Sequence, residues 1–78
     1  MRVIIARVGE TLYEGEAHSL TVPGRAGEMT ILSHHMPLVS TLKKGTVTVR
    51  ETKDSEPKEF EIQEGVLEVS GDSATVLL

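Results

Sequence analysis

The stretch Thr46-Val47-Thr48-Val49-Arg50 alternates polar and apolar residues without a break. Because successive side chains of a strand point to opposite faces, this alternation predicts a half-buried β-strand rather than a helix. The stretch Phe60-Glu61-Ile62 repeats the pattern, and both stretches are rich in the β-branched or aromatic residues that fit a pleated sheet. We therefore expect a chain built from strands.

Shorter apolar pairs with the same spacing of two lie on either side of this stretch: Leu20 and Val22, Met29 and Ile31, and Val76 and Leu78. Turn-forming residues separate the pairs at short intervals: Gly9-Glu10, Glu14-Gly15, Pro23-Gly24, Gly27, Lys44-Gly45, Asp54-Ser55, Glu64-Gly65 and Gly71-Asp72-Ser73. Short strands joined by tight turns pair as antiparallel neighbours and close into a sandwich or flattened barrel. The sequence predicts a single all-β domain of eight to ten antiparallel strands over residues 1–78. Only the segment 34–42 is a weak candidate for a helical turn.

The composition limits the classes of function. The chain has 78 residues, no Cys and 38% hydrophobic residues, so one thin core without disulfides or thiolate metal sites is expected. A net charge of −4 and only two aromatic residues argue against a nucleic-acid partner. The longest apolar run near the start is Val3 to Ala6, too short for a membrane span or a signal peptide. We expect a soluble domain.

Candidate catalytic and metal-binding residues are few. His34 and His35 are neighbours that point to opposite faces of an extended chain, and His18 is expected on the face of Leu20 as a half-buried or edge residue, so no metal site or cofactor is predicted. Two carboxylate pairs alternate with apolar residues and are expected to form solvated outer rows: Glu14 with Glu16, and Glu59 with Glu61. No nucleophile elbow or phosphate-binding loop is present. The chain is therefore not expected to be an enzyme.

Two loops have a distinctive composition. The segment 54–57 is polar, contains a proline and joins two alternating strands, so it is interpreted as an exposed hairpin tip without a function. The loop from Pro23 to Gly27 brackets Arg25 and Ala26 between two glycines. These glycines either serve the backbone alone or fix a loop that contacts a partner, and the sequence leaves both interpretations open.

The order of several short motifs resembles the epsilon subunit of F-type rotary ATP synthases. The most specific block is Gly27-Glu28-Met29-Thr30-Ile31 followed by His35-Met36-Pro37-Leu38. Around it, further motifs fall at the family's spacings: Val3-Ile4-Ile5, Leu12-Tyr13-Glu14-Gly15, Val22-Pro23-Gly24, Leu42, Gly45 and Gly65-Val66-Leu67-Glu68-Val69. The likeness covers the whole chain.

The resemblance implies a ten-stranded β-sandwich in the central stalk, bound to the gamma subunit and resting on the ring of c subunits. Such a rotor subunit is non-catalytic, has no cofactor and helps couple proton transport to ATP synthesis. It would lie at the cytoplasmic face of the bacterial inner membrane and meet the membrane only through the complex.

The resemblance also implies site residues. Arg25, Gly27, Glu28 and Met29, with His35 nearby, are expected to face the c ring. Three other residues are expected near the gamma subunit: Arg7, Leu38 and Ser40. The family's longer members carry a C-terminal helical hairpin, which is expected to be absent here. Thr30 stands where the family commonly has a glycine.

Two rival functions remain open at this stage. A free-standing module that binds a peptide or small ligand predicts a concave apolar pocket with converging polar groups. A hydrolase that uses Glu59 and Glu61 requires a cleft between the two carboxylates.

Overall fold

A computed structural model describes all residues, 1–78, and contains nine β-strands and no helix. The strands, in chain order, are β1 Arg2–Arg7, β2 Glu10–Glu16, β3 Ser19–Gly24, β4 Gly27–Leu32, β5 Leu38–Leu42, β6 Gly45–Arg50, β7 Lys58–Ile62, β8 Gly65–Ser70 and β9 Ser73–Leu77. No helix is long and apolar enough to cross a membrane.

The strands form two layers. Layer A has the order β2-β1-β9-β8-β5, and layer B has the order β4-β3-β6-β7. The two layers join into one hydrogen-bonded network through a single bridge, where Gly24 of β3 pairs with Leu42 of β5. The chain thus crosses between layers at this corner, and the joined layers curl into a flattened half-barrel in which β2 and β7 do not pair with each other.

The core lies between the layers and consists of the inward residues of both. Fifteen buried apolar residues form one cluster. The alternation that identified β6 holds, since Val47 and Val49 are fully buried while Thr46, Thr48 and Arg50 are not. Inward residues of layer A are the matching half of the core, among them Val3, Ile5, Leu67 and Val76.

The predicted all-β sandwich is confirmed, with two differences in detail. There are nine strands rather than ten. The first and last strands, β1 and β9, pair in parallel, with Ile4 beside Thr75 and Ile5 beside Val76, whereas all pairs were expected to be antiparallel. Consecutive strands run alternately up and down, so the first and the ninth strand point the same way and pair in parallel where they are neighbours.

The weak helical candidate at 34–42 is a turn followed by β5. His34 has a positive φ of 66°, and the amide of His35 donates to the carbonyl of Leu32 at 3.2 Å, so the chain reverses at the end of β4. The segment 51–57 connects β6 to β7 as an exposed loop, as predicted.

The loops gather at two opposite ends of the barrel because consecutive strands run up and down. The Arg25 end contains the connections 7–10, 24–27, 42–45 and 62–65, together with Leu78. The Met1 end contains the N-terminus and the connections 16–19, 32–38, 50–58 and 70–73.

Candidate interaction surfaces

The outer face of layer A carries an apolar patch. The strand register places Ala6 beside Leu77, and Leu77 beside Val66, in one row across β1, β9 and β8. Ile4 on β1 and Val39 on β5 lie at the two ends of the neighbouring row. We call these residues the outer patch: Ile4, Ala6, Val39, Val66 and Leu77.

The outer patch is exposed in spite of its composition. Val39 is 72% exposed, Leu77 53% and Val66 38%. Ala6, Leu77 and Val66 form a continuous apolar row, whereas Thr75 and Glu68 separate Ile4 from Val39 in the neighbouring row, and ion-paired residues such as Arg2 and Glu14 form the rim. An apolar centre within a polar rim is the usual composition of a protein–protein interface.

The turn between β3 and β4 has a fixed shape. Gly27 has a φ of 144°, and a side chain added at Gly24 would approach the carbonyl oxygen of Gly27 to 2.5 Å, so both positions need glycine. The turn is also tied to layer A and the next loop, because the amide of Arg25 donates to Thr41 at 3.0 Å and the amide of Lys43 donates to Pro23 at 2.9 Å. The side chain of Arg25 projects from this turn and is exposed.

Glu28 lies at the start of β4, beside this turn. Its carboxylate is exposed and has no ion pair within 4 Å, while Met29 is half-buried against the core and against Gly24. Four of the five residues expected to face the c ring are therefore together at the Arg25 end: Arg25, Gly27, Glu28 and Met29.

His35 does not lie beside that turn. It follows β4 at the Met1 end, and its ring Nδ1 lies 2.8 Å from the carbonyl oxygen of Met36. Since a strand rises about 3.3 Å per residue, Glu28 and Leu32 at the two ends of β4 are about 13 Å apart. The turn that carries Glu28 and the loop that carries His35 thus lie at opposite ends of β4, although His35 was expected near Glu28.

A buried ammonium group organises the Met1 end. The N-terminal nitrogen lies 3.5 Å from the Glu16 carboxylate and 3.6 Å from that of Asp72, and it donates to the carbonyl of Ala17 and the hydroxyl of Ser33, each at 3.3 Å. These contacts join layer A to the loop that carries His35.

The three residues expected near gamma occupy different surroundings. Arg7 is exposed at the end of β1 and has a long ion pair of 3.8 Å with Glu10. Ser40 and Leu38 are half-buried on the inward side of β5, where Leu38 packs against the core. Val39, which lies between them, points to the outer face.

The candidate catalytic groups are dispersed. The members of the carboxylate pairs Glu14/Glu16 and Glu59/Glu61 are all exposed, which confirms the predicted outer rows. His18 precedes β3 and is exposed, which fits the edge alternative and not the half-buried one; it does not share the buried face of Leu20, because the chain bends before Ser19 and the strand's alternation does not extend to it. No three His, Asp or Glu side chains are grouped closely enough to hold a metal ion.

Two open depressions lie at the Arg25 end, with volumes of about 270 and 390 Å³. They share Glu64 and Leu78, and each is bordered by one arginine, Arg7 or Arg25. Their mixed, solvent-open walls differ from the enclosed apolar pocket that a free-standing ligand-binding module predicts. Glu59 and Glu61 lie on one strand and one exposed face, without the cleft that the hydrolase hypothesis requires.

Tyr13 closes the seam between β2 and β7. Its ring lies 6.0 Å from that of Phe60, and its hydroxyl donates to Glu51 at 2.6 Å. Burial, and then the hydrogen bond to the Glu51 carboxylate and its charge, raise the pKa of Tyr13 to about 12.

Sequence reasoning missed the outer patch, although a signal was present. In a half-buried strand, apolar residues occupy every second position. Consecutive apolar residues occur here in three segments: Val3-Ile4-Ile5, Val66-Leu67 and Leu77-Leu78. Consecutive apolar residues place apolar side chains on both faces of a strand, which is typical of strands that are covered on two faces. Here the second face is the exposed outer patch.

Comparison with known proteins identifies the family. A family model described as "ATP synthase, Delta/Epsilon chain, beta-sandwich domain" matches residues 1–78. An ATP synthase epsilon chain 2 from Burkholderia orbicola is 39% identical over 77 residues, which are 99% of this chain and 51% of the relative. An ATP synthase epsilon chain from Bordetella parapertussis is 38% identical over 77 residues, 99% of this chain and 54% of the relative. The chain spans about half the length of the curated relatives it matches.

Solved structures share the fold. A chain in the cryo-EM structure of the Euglena gracilis mitochondrial ATP synthase (OSCP/F1/c-ring) superposes with a TM-score of 0.86 at 19% identity, covering 96% of this chain and 48% of that one. A chain of the Tetrahymena thermophila mitochondrial ATP synthase central stalk/c-ring gives 0.81 at 14% identity, covering 99% and 61%. With the family match over every residue, the strand architecture leads to one conclusion: the chain belongs to the ATP synthase delta/epsilon chain β-sandwich family.

Proposed function

We propose that the chain is a non-catalytic rotor subunit of a proton-translocating F-type ATP synthase, held between the gamma subunit and the ring of c subunits. Family membership over residues 1–78 supports the complex. The observation that carries the proposal is the outer patch, because a rotor subunit needs a surface that stays bound while torque passes through it. A flat apolar face with a polar rim suits a permanent protein partner better than a small ligand.

The gamma subunit covers the outer face of layer A in this proposal. Ala6, Leu77 and Val66 supply the apolar centre, the exposed Val39 lies beside Glu68 next to it, and Arg7 lies at its edge. Ser40 contributes through the backbone of β5 beside Val39. Leu38, which packs inward, supports the strand from behind rather than touching the partner.

The c ring faces the length of β4. Arg25, Gly27, Glu28 and Met29 meet it at one end of the strand and His35 at the other. The unpaired Glu28 carboxylate and the exposed Arg25 can pair with polar groups on the loops of the c subunits. Such charged contacts fix the orientation of the two partners more than they add affinity. The rigid turn at Gly24 and Gly27 keeps these charges in place.

Within the complex, this chain lies at the cytoplasmic face of a bacterial inner membrane. The bacterial epsilon chains that the sequence matches support this location. Proton flow turns the ring, and the chain locks ring to stalk so that rotation reaches the catalytic head. Its contribution to ATP synthesis is mechanical.

Exchange of Glu28 for Lys tests the ring contact. In an ATP synthase reconstituted with this chain in place of its own epsilon subunit, we expect the variant to reduce ATP-driven proton pumping relative to ATP hydrolysis, because it reverses a charge at the ring surface. The matched control is Glu59→Lys, an exposed carboxylate on β7 at the opposite edge of layer B. Equal pumping-to-hydrolysis ratios in the two variants would contradict the assignment of Glu28.

A further inference from the structure

Strand β4 has an open edge whose backbone groups can be assigned. Pro23 has no N–H, and its carbonyl accepts a hydrogen bond from Lys43 on the side away from β4, so Pro23 makes no bond to its ladder partner Glu28. Bonded and non-bonded pairs alternate in an antiparallel ladder. Glu28, Thr30 and Leu32 therefore direct their N–H and C=O groups to the open edge.

Almost all of these groups lack a partner in the fold. Strand β4 pairs with β3 alone, and the only bond that reaches it from outside the ladders is the one from the His35 amide to the Leu32 carbonyl. The amides of three residues and the carbonyls of Glu28 and Thr30 remain free along one line.

Two other edge strands, β7 and β2, are protected against pairing, and β5, the last strand of layer A, is tied to β3 at Leu42 and accepts a hydrogen bond from the Arg25 amide at Thr41. Strand β7 carries three charged residues in five, Lys58, Glu59 and Glu61. Strand β2 has three glutamates and a bulge opposite Ile5 and Ala6. Charges and bulges are the usual means of blocking strand addition at an edge. Strand β4 has only the single charge of Glu28 and no irregularity in its register.

We propose that the β4 edge receives an extended segment of a partner protein, which adds a strand to layer B. The partner segment carries a basic side chain opposite Glu28, which has no ion pair, a small or β-branched polar residue opposite Thr30, and an apolar residue opposite Leu32, which is 50% exposed. Backbone bonds supply the affinity, and the alternate side chains supply the selectivity.

The edge is a property of the chain by itself, so this inference goes beyond the proposed function and does not depend on the gamma contact, but it shares β4 and Glu28 with the surface proposed to face the c ring. The outer patch lies on layer A and the open edge on layer B. Loss of one surface by mutation therefore leaves the other intact.

The test uses the 78-residue chain labelled with ¹⁵N and the probe peptide acetyl-Leu-Val-Thr-Val-Arg-amide. Antiparallel to β4, this peptide brings its Arg opposite Glu28 and its Leu opposite Leu32. We expect chemical-shift changes confined to β4 and the turn before it. The same peptide with Glu in place of Arg should bind at least about threefold more weakly, because two carboxylates then face each other.

Thr30→Pro removes one outward amide, a substitution that edge strands tolerate where the amide faces solvent, and should weaken the peptide about tenfold. Thr30→Val keeps the amide and should bind like the unaltered chain. If Thr30→Pro does not fold, Thr30→Lys provides the block by placing a charge on the edge.

Three results would overturn the proposal: no shift changes at millimolar peptide, changes centred on the outer patch, or equal binding by Thr30→Pro and Thr30→Val. Sedimentation analysis adds a fourth. A dimer of the unaltered chain that Thr30→Pro converts to monomer would mean that the edge receives a second copy instead of a partner segment.

Discussion

Replacing Val39 by Asp probes the outer patch at its most exposed side chain. Val39 is the second residue of β5, and its 72% exposed side chain points away from the core. The fold should therefore tolerate the change, with a loss of about 1–2 kcal/mol from lower β-propensity and from repulsion by Glu68, which lies directly opposite Val39 on β8. Binding to gamma should not tolerate it.

The expected loss of affinity follows from the exposed fraction. Full burial of a valine side chain is worth about 1.5 kcal/mol, so covering the 72% that is exposed contributes roughly 1 kcal/mol. An aspartate gives up that contribution and must also lose water against an apolar surface, at about 2 kcal/mol or more. The sum of about 3 kcal/mol corresponds to roughly 100-fold weaker binding.

The assay is calorimetric titration of the gamma subunit with this chain, beside thermal melts of each variant. Thr30→Asp is the matched control, since it adds the same charge at an exposed strand position on layer B. We expect it to bind gamma within a few-fold of the unaltered chain. A Val39→Asp variant that folds and binds gamma as tightly as the control would refute the assignment of the outer patch.

The remaining predictions concern stability. Val49→Asp brings a charge into a fully buried site and should cost at least about 3 kcal/mol, so circular dichroism should show an unfolded chain; a normal melting curve would mean that the β6 register is wrong. Gly24→Ala should destabilise the fold by about 1–3 kcal/mol, measured as a lower Tm, because the added methyl meets the Gly27 carbonyl; an unchanged Tm would show that the turn is not tightly closed. The folded chain retains the Tyr13 proton to about pH 12, against 10.0 for an unperturbed tyrosine. Because the pKa of Tyr13 is higher in the folded chain than in the unfolded chain, the contribution of its neutral form to the free energy of unfolding is complete below pH 10 and is lost between pH 10 and 12. Ultraviolet titration of this single tyrosine measures the pKa directly, and Glu51→Gln should lower it; identical titration curves would contradict the Tyr13–Glu51 contact.

Much of the fold could be predicted because its information is local. Alternation in residues 46–50 gave the core face of β6, and glycine and proline punctuation gave the number of strands to within one. The parallel pairing of β1 with β9 could not be predicted, because it joins residues some seventy positions apart and leaves no turn between them. Because the nine strands run alternately up and down, β1 and β9 point the same way, and a local pattern does not describe that the fold makes them neighbours.

The candidate surfaces divide in the same way. The turn at Gly24 to Gly27 was apparent from its glycines, and the resemblance indicated Glu28. The separation of Glu28 from His35 depends on β4 running as a straight strand between them, which only the structure describes. The outer patch needed the register of three strands to bring Ala6, Leu77 and Val66 into one row.

The central claim is that this chain is a stalk subunit held by gamma. Its most direct test is calorimetric titration of the unaltered chain into the gamma subunit of the ATP synthase from the same organism, with circular dichroism to verify that the chain is folded. The account predicts tight binding at one chain per gamma subunit. A folded chain that shows no binding would contradict it.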